Sequence, residues 1–368
     1  MHKHYSDDDK TLHSLLAHTD LLDGIDTDSL TYPENITNIE VSYPTDGYRF
    51  LHEAAIIAYK GRLFASWYNN PSHELNGYTP IRGCYSDDGG ITWSQPETIA
   101  EDKTGRLLYC PPVYGIDDGR LYMLMNTMVG ADLIHSLELY IYNESSEKFD
   151  FLWSKPIPFK LNTNVVHLDN GKLMLPGRIA ELDKFPNTPA VLISDSGHID
   201  ADWRLVYIQP NGDMPDGSAL VHPEISAICD GCDITMFCRD DKRRVPLVYY
   251  SHDYGESWSK AHSHDIPFSN SKIYSGRLSD GRRYVIGNLY PGRSKLALFT
   301  GDADKRTFNK GYIIHDGRDE KLGYGLKWHY PAVTEDNGRL YIICTVSIEN
   351  TSPEERGAVV SIVEMNNE

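Results

Sequence analysis

The sequence has few cysteines, no long apolar run and fewer basic than acidic residues. Six cysteines in 368 residues are too few for a disulfide scaffold. No apolar run reaches the length of about 18 residues that a membrane-spanning helix needs, which excludes such a span. Lys and Arg total 35 against 53 Asp and Glu, which gives a net charge of −18. This balance argues against nucleic acid and anionic lipid as partners, because both attract basic surfaces.

The sequence also lacks a metal-site pattern and a secretory leader. Cys229-Asp230-Gly231-Cys232 is a CxxC, but no second pair or histidine stands at zinc-site spacing. We therefore interpret this segment as a β-turn and predict neither a metal nor a cofactor. Residues 1–9 lack the apolar stretch of a signal peptide, from which we expect a cytoplasmic protein.

Turn-forming residues are abundant, and one turn motif recurs along the chain. An Asx or Lys followed by glycine enters an apolar run six times, as expected for a β-hairpin whose glycine takes a positive φ. The six glycines are Gly61, Gly119, Gly171, Gly231, Gly281 and Gly338, at steps of 58, 52, 60, 50 and 57 residues. Repeats of this size predict an all-β fold, a six-bladed β-propeller with four-stranded antiparallel blades.

A second motif falls after two of these turns. Residues 86–93 (SDDGGITW) and 251–258 (SHDYGESW) share the pattern Ser-x-Asp-x-Gly-x-(Ser/Thr)-Trp. This is the Asp-box, a surface hairpin in which the aspartate binds backbone amides and the tryptophan packs between strands. Residues 194–203 and 301–308 are weaker copies. We predict structural rather than catalytic roles for the residues of the two intact boxes.

The turn motifs do not extend to the N-terminus. We predict an N-terminal extension over residues 1–45 and a six-bladed propeller over residues 46–368. The leucines between residues 11 and 30 suit a short helix packed on the propeller. We expect a strand from one terminus to complete the sheet of the other, because a closed propeller leaves no open sheet edge.

Polar residues stand at a constant distance from the turn glycines. In a hairpin, the start of the first strand and the end of the second share one edge. Counting back nine residues finds His52, Cys110, Asn162, His222, Lys272 and His329. Counting forward seven or eight finds Asn69, Asn126, Arg178, Arg239, Asn288 and Thr345. We expect these residues to meet at the axis and, since the set contains no Asp or Glu, to form a cationic pocket.

Each candidate in this set also has a structural interpretation. His52 and His222 can be proton carriers or hydrogen-bonded core histidines. Arg239 follows a buried strand, and an arginine there needs an anion from the protein or from a ligand. Arg293 can bind a ligand or lie in a solvated loop, and Tyr330 can belong to the site or to the core.

With its turns and Asp-boxes, the chain from about residue 48 onward resembles the sialidase superfamily. The resemblance rests on residues 52–93, 288–298 and 328–333. In true sialidases, three arginines bind the sugar carboxylate, a Tyr–Glu pair supplies the nucleophile, and an aspartate is the acid/base. The resemblance implies that Arg239 and Arg293 are the second and third arginines and that Tyr330 is the nucleophile.

The chain departs from the sialidase pattern at three places. His52 stands where the first arginine begins its motif, and His222 stands where the tyrosine-activating glutamate belongs, with Glu224 two residues on. The acid/base aspartate is not evident, and Asn69 and Glu74 occupy that stretch. The departures weaken the implication of sialic acid itself and leave an anionic sugar as the expected substrate.

The predicted function is an exo-acting glycoside hydrolase that acts on an oligosaccharide or polysaccharide ending in a carboxylated sugar. Arg239 and Arg293 would bind the carboxylate, since a guanidinium matches it bidentately. His52, whose ordinary pKa of about 6.5 suits proton transfer, and Tyr330 would exchange protons, with His222 or Glu224 tuning Tyr330. The remaining substrate contacts are assigned to Arg178, Asn69, Asn126 and Asn288.

Two alternatives remain open from the sequence. A uronate-directed lyase needs a neutralised carboxylate and a base, which histidine, tyrosine and arginine can supply. A glycan-binding propeller without chemistry would present the same aromatic and cationic residues.

Overall fold

A computed structural model describes residues 15, 30–44, 47–130, 133–179, 188–208, 220–241, 247–319, 324–348 and 355–364. These residues form strands and the loops between them. None of the described residues belongs to a helix that is long and apolar enough to cross a membrane.

The strands form six antiparallel sheets arranged as the blades of a propeller. Blade 1 contains β2 (Phe50–Tyr59), β3 (Arg62–Asn70), β4 (Ile81–Ser86) and β5 (Glu97–Ala100). Blade 2 contains β6 (Leu108–Asp117), β7 (Arg120–Met128), β8 (Ile134–Asn143) and β9 (Lys148–Lys155). Blade 3 contains β10 (Phe159–Leu161), β11 (Val166–His167), β12 (Leu173–Ile179), β13 (Pro189–Ser194) and β14 (Arg204–Tyr207).

The second half of the chain builds the other three blades. Blade 4 contains β15 (Ile225–Asp230), β16 (Asp233–Cys238), β17 (Leu247–Ser251) and β18 (His262–Ser263). Blade 5 contains β19 (Tyr274–Arg277), β20 (Arg283–Asn288), β21 (Lys295–Gly301) and β22 (Lys310–Asp316). Blade 6 contains β1 (Ile36–Ser42), β24 (Tyr324–Asp336), β25 (Arg339–Ile348) and β26 (Arg356–Glu364), and the short β23 (Arg318–Asp319) pairs with the start of β24.

The predicted six four-stranded blades are therefore confirmed. In blade 3 the innermost strand is divided, because β10 and β11 both pair with β12. Central strands are apolar on both faces, since a neighbouring blade covers each side: every residue of β7 after Arg120 is buried. The outer strand β9 of the same blade is mostly exposed. The apolar clusters lie between adjacent blades and bind them into one ring.

The ring closes through strands from the two ends of the described chain. β1 pairs antiparallel with β26, from Ile36 opposite Val363 to Ser42 opposite Ala358. This is the predicted closure, and it places part of the 1–45 segment inside blade 6. The helix predicted over residues 11–30 lies outside the described residues except for Leu15 and Leu30, whose side chains are buried in the cluster around blade 5.

All six turn glycines occupy one equivalent position, as predicted. Each lies between the first and second strands of its blade, with φ between 60° and 88°. The two Asp-boxes lie between the third and fourth strands of blades 1 and 4. In the first box, Asp88 accepts hydrogen bonds from the Ser86 hydroxyl and the Thr92 amide, and the Trp93 indole donates to the Gly90 carbonyl at 3.0 Å.

Buried asparagines connect the blades near the predicted site. Asn126 of blade 2 donates to the Phe159 carbonyl at 2.8 Å and accepts from the Leu161 amide at 2.9 Å, both in blade 3. Asn288 of blade 5 donates to the Trp328 carbonyl of blade 6 at 3.0 Å. These amides satisfy backbone groups of the innermost strand in the next blade.

We expect Asn126→Leu to lower the free energy of unfolding by about 2–4 kcal/mol, because it strands two buried backbone groups at about 1–3 kcal/mol each. Urea denaturation measures the loss. The matched control is Asn76→Leu at an exposed asparagine, which should change stability by less than about 0.5 kcal/mol. Equal stability of the two variants would contradict the connecting role of Asn126.

Candidate active site at the propeller axis

The candidate residues lie at the end of the propeller opposite the turn glycines. Three of the innermost strands carry a β-bulge there, between His52 and Ala55 in β2, between Tyr109 and Pro112 in β6, and between His329 and Ala332 in β24. The bulged residues Glu53 and Tyr330 have φ of 48° and 50°. A bulge re-aims the side chain of its extra residue, so neighbouring blades present Glu53 and Tyr330 at equivalent positions.

Arg239 is the centre of the site and is only 7% exposed. Its Nη1 donates to Glu224 Oε2 at 2.6 Å and to the Tyr330 hydroxyl oxygen at 2.7 Å. Its Nε and Nη2 donate to the two carboxylate oxygens of Asp241 at 2.7 and 2.8 Å. Two carboxylates therefore already pair with this guanidinium. We refer to His52, Glu224, Arg239, Arg293 and Tyr330 as the axial site.

The charges of the axial site set the protonation of Glu224 and Tyr330. Burial by itself would raise the pKa of Glu224, but the positive charge of Arg239, reinforced by Lys272, lowers it below its usual range. Burial raises the pKa of the Tyr330 hydroxyl, the charge of Glu224 adds to this rise, and Arg239 opposes it. At neutral pH the site thus holds an ionised Glu224 and a protonated Tyr330.

His52 lies against the nucleophile candidate. Its ring stacks on that of Tyr330 with centroids 4.4 Å apart and an interplanar angle of 29°. Its Nδ1 is 2.9 Å from the Thr345 hydroxyl, which donates its own proton to the His329 carbonyl at 3.2 Å. Because a hydroxyl has one proton to give, His52 Nδ1 must be the donor to Thr345. The Nε2 of His52 is therefore the unprotonated nitrogen and can accept a proton.

Arg293 is the axial cation that remains accessible. Its Nη1 donates to His329 Nδ1 at 2.9 Å, and its guanidinium lies 5.1 Å from the centroid of the Tyr330 ring. No carboxylate among the described residues forms an ion pair with it. Since His329 Nδ1 accepts this bond, its Nε2 carries the proton and donates to the Ser347 hydroxyl at 2.8 Å.

Both histidines of this group are neutral. Burial, assisted by the positive charge of Arg356, lowers the pKa of His52 and of His329 well below the ordinary value. The expectation of a histidine that titrates near neutral pH is therefore wrong for His52. In its neutral form His52 remains a proton acceptor through Nε2.

A second buried ion pair adjoins the axial site. Lys272 Nζ lies 3.1 Å from Glu53 Oε2 and 5.7 Å from the centroid of the Tyr330 ring. The Cys110 thiol donates to Glu53 Oε1 at 3.5 Å. Sequence reasoning placed Lys272 and Cys110 at this end but missed Glu53. A glutamate between a histidine and the apolar Ala54–Ile57 run was the available signal.

The prediction of a pocket without acidic residues is wrong, because three carboxylates lie in it. Glu53, Glu224 and Asp241 all lie among the cations, although none stands at the offsets counted from the turn glycines. Glu224 immediately precedes β15, and Asp241 follows Arg239 by two residues. Neither position is nine residues before or seven or eight residues after a turn glycine, so the count did not select them.

Several predicted residues lie outside the axial site. His222 has a side chain that is 47% exposed, and its Nδ1 hydrogen-bonds Asp241 at 3.0 Å instead of reaching Tyr330. The amides of Asn126 and Asn288 are engaged by backbone, and Asn69 donates to the Phe50 carbonyl at 3.0 Å. These bonds engage the side-chain nitrogens of all three asparagines, whereas the buried Oδ1 of Asn288 has no hydrogen-bond partner among the described residues. Arg178 is buried and contributes its charge to the lowered pKa of Glu224.

Six blades, Asp-boxes and a tyrosine that shares an arginine with a glutamate at the axis define a sialidase-like propeller. The chain belongs to the BNR repeat-like domain family, whose pattern matches residues 61–342. A comparison with curated proteins finds no match.

Three solved structures illustrate the likeness. A Dyadobacter fermentans protein of unknown function has 14% identity and a TM-score of 0.69, covering 90% of this chain and 100% of its own. The Trypanosoma rangeli sialidase in complex with sialic acid has 13% identity and a TM-score of 0.65, covering 90% and 59%. The GH93 α-L-arabinofuranosidase of Fusarium graminearum with arabinobiose has 15% identity and a TM-score of 0.55, covering 88% and 97%. At these identities the likeness concerns the fold.

Buried neutral histidines make stability depend on pH. The ring of His315 stacks on that of Trp328 with centroids 3.5 Å apart, and burial lowers the pKa of His315 to about 3. The unfolded chain binds a proton at this position below about pH 6.5 and the folded chain does not, so stability falls as pH decreases. Between pH 6.5 and 5, we expect the wild type to lose up to about 2 kcal/mol more than His315→Gln. Urea unfolding across this range measures the difference, and parallel curves would contradict it.

Proposed function

We propose that the protein is a glycoside hydrolase in which Tyr330 attacks the anomeric carbon of a terminal acidic sugar. The observation that carries this proposal is the shared hydrogen bonding of Arg239 Nη1 with the Tyr330 oxygen and with Glu224. A cation at the phenolic oxygen stabilises the negative charge that develops there as the proton leaves. Carbohydrate-active enzymes among the structures of like fold support the same class of reaction.

The proposed reaction proceeds in two steps. The Tyr330 oxygen bonds to the anomeric carbon while the glycosidic C–O bond breaks, and the phenolic proton passes to the ionised Glu224. The departing oxygen takes a proton from water. A water molecule then cleaves the tyrosyl–sugar bond, and Tyr330 recovers its proton from Glu224 as the water proton is released.

The acidic group of the substrate is assigned to Arg293. Asp241 and Glu224 already neutralise Arg239, so a second carboxylate gains little there. Arg293 keeps guanidinium hydrogens available beside Tyr330, because the neutral His329 is its one side-chain hydrogen-bond partner among the described residues. A planar guanidinium binds a carboxylate bidentately. This assignment replaces the expectation that Arg239 is the principal anion-binding residue.

One observation favours a second candidate function, a uronate lyase. His52 is neutral, its Nε2 lacks a proton, and its ring stacks on Tyr330. In this reaction His52 Nε2 takes the proton from the ring carbon that bears the carboxylate, whose charge Arg293 neutralises. The electron pair of that C–H bond forms the double bond while the glycosidic C–O bond on the next ring carbon breaks, and the departing oxygen takes a proton from water. Elimination creates a carbon–carbon double bond that absorbs ultraviolet light, whereas hydrolysis does not, so the same glycan panel separates the two reactions.

We expect Tyr330→Phe to reduce turnover on the order of 10³-fold or more while product affinity stays within about threefold, because only the nucleophilic oxygen is lost. Release of reducing sugar and calorimetric titration measure the two quantities. Tyr122→Phe is the matched control, since the buried Tyr122 hydroxyl has no hydrogen-bond partner among the described residues. Full activity of Tyr330→Phe would exclude the tyrosine mechanism, and inactivity of the wild type would favour a binding propeller.

We expect Arg293→Gln to weaken binding of an acidic sugar by about 10–100-fold, the range for a lost hydrogen bond to a charged group. Binding of the analogue with its carboxylate reduced to an alcohol should change little. Titration calorimetry with both sugars measures this contrast, with exposed Arg106→Gln as the control. Equal losses for the two sugars would contradict recognition of the carboxylate by Arg293.

A further inference from the structure

Stability of the fold does not by itself explain the Glu53–Lys272 ion pair. Their side chains are 5% and 8% exposed, and their charged atoms lie 3.1 Å apart. Moving two charges out of water is costly, and replacing such a pair with apolar residues is often neutral or stabilising. Packing of the core therefore does not explain why two charged residues stand at these positions.

The pair lies where a substrate would meet it. Glu53 in β2 occupies the bulge position that Tyr330 occupies in β24, and both residues take a left-handed backbone conformation. Lys272 Nζ is 5.7 Å from the centroid of the Tyr330 ring. The carboxylate and the ammonium are thus neighbours of the proposed nucleophile.

The hydrogen-bonding capacity of the pair exceeds what the described residues use. An ammonium has three donors, and a carboxylate has about four acceptor positions. The partners seen are Glu53 for Lys272, and Lys272 and the Cys110 thiol for Glu53. A sugar hydroxyl both donates and accepts, so two adjacent hydroxyls can accept from Lys272 while donating to Glu53.

We propose that Glu53 and Lys272 bind two adjacent ring hydroxyls of the terminal sugar and thereby select hexuronic acids over sialic acids. This proposal rests on the proposed function, because attack by Tyr330 places the anomeric carbon beside the pair. A hexuronic acid carries a hydroxyl on the ring carbon next to the anomeric carbon and on the carbon after it. A sialic acid carries a methylene group at the first of these positions and offers the pair no diol.

The test is titration calorimetry with defined sugars on the full chain. The probes are D-glucuronic acid, D-galacturonic acid, their 2-deoxy analogues and N-acetylneuraminic acid. We expect the wild type to bind at least one hexuronic acid about 10–100-fold more tightly than its 2-deoxy analogue and than N-acetylneuraminic acid. Lys272→Met should reduce this preference to less than about threefold.

Two control variants distinguish the loss of the contact between Lys272 and the sugar from misfolding of the protein. Arg283→Met removes another buried cation, at the turn-glycine end of blade 5, and should leave the preference intact. If Lys272→Met does not fold because Glu53 is left unpaired, the double variant Glu53→Leu with Lys272→Met removes both charges and gives the same readout.

Three results would overturn the proposal in distinguishable ways. If the wild type binds N-acetylneuraminic acid as tightly as the hexuronic acids, the selection is absent. If Lys272→Met and the double variant keep the preference for the diol, another group recognises it. In both cases Arg293→Gln would still weaken binding of the acids, and the proposed function would stand. If no acid sugar binds and Arg293→Gln changes nothing, the proposed function fails and this proposal fails with it.

Discussion

Closure of the ring by β1 against β26 is the constraint on which the rest of the molecule depends. Each blade covers its apolar faces with its neighbours, so an open ring would leave two blades half-exposed. Closure also brings the first strands of all six blades to one axis. Only then can Tyr330 of blade 6 reach Arg239 of blade 4 and His52 of blade 1.

Among the cations described above in and beside the axial site, Arg239 and Lys272 pair with carboxylates, and Arg293 does not. Arg239 is held by Glu224 and Asp241, and Lys272 is held by Glu53. Arg293 instead meets the lone pair of a neutral histidine. An uncompensated cation in a partly buried site favours an anionic ligand, because the low dielectric strengthens their attraction. The proposed acidic substrate follows from this arrangement more directly than from the number of arginines.

The spacing from the turn glycines indicated at which end of the propeller the candidate residues lie better than it indicated which residues meet there. The offset from the turn glycines selected His52 and Arg239, which contact Tyr330, but it also selected Asn69, Asn126 and Asn288, whose amides bind backbone. The bulges in β2 and β24 add a residue, so Glu53 and Tyr330 lie eight residues before their turn glycines and the count of nine falls on the preceding histidines. A bulge has no reliable sequence signature, which is why Glu53 was missed.

The sequence by itself determined the all-β architecture, the number of blades, the turn positions and the Asp-boxes. These features depend on local chemistry: a glycine that takes a positive φ, an aspartate that binds nearby amides and a turn motif that recurs at steps of 50, 52, 57, 58 and 60 residues. Only the tertiary structure decided which side chains meet, which histidine nitrogen carries a proton and which cation is left unpaired. Those properties depend on distances between blades and on burial. The hydrogen bond between Arg239 and Tyr330, for example, joins residues that are 91 positions apart in the chain.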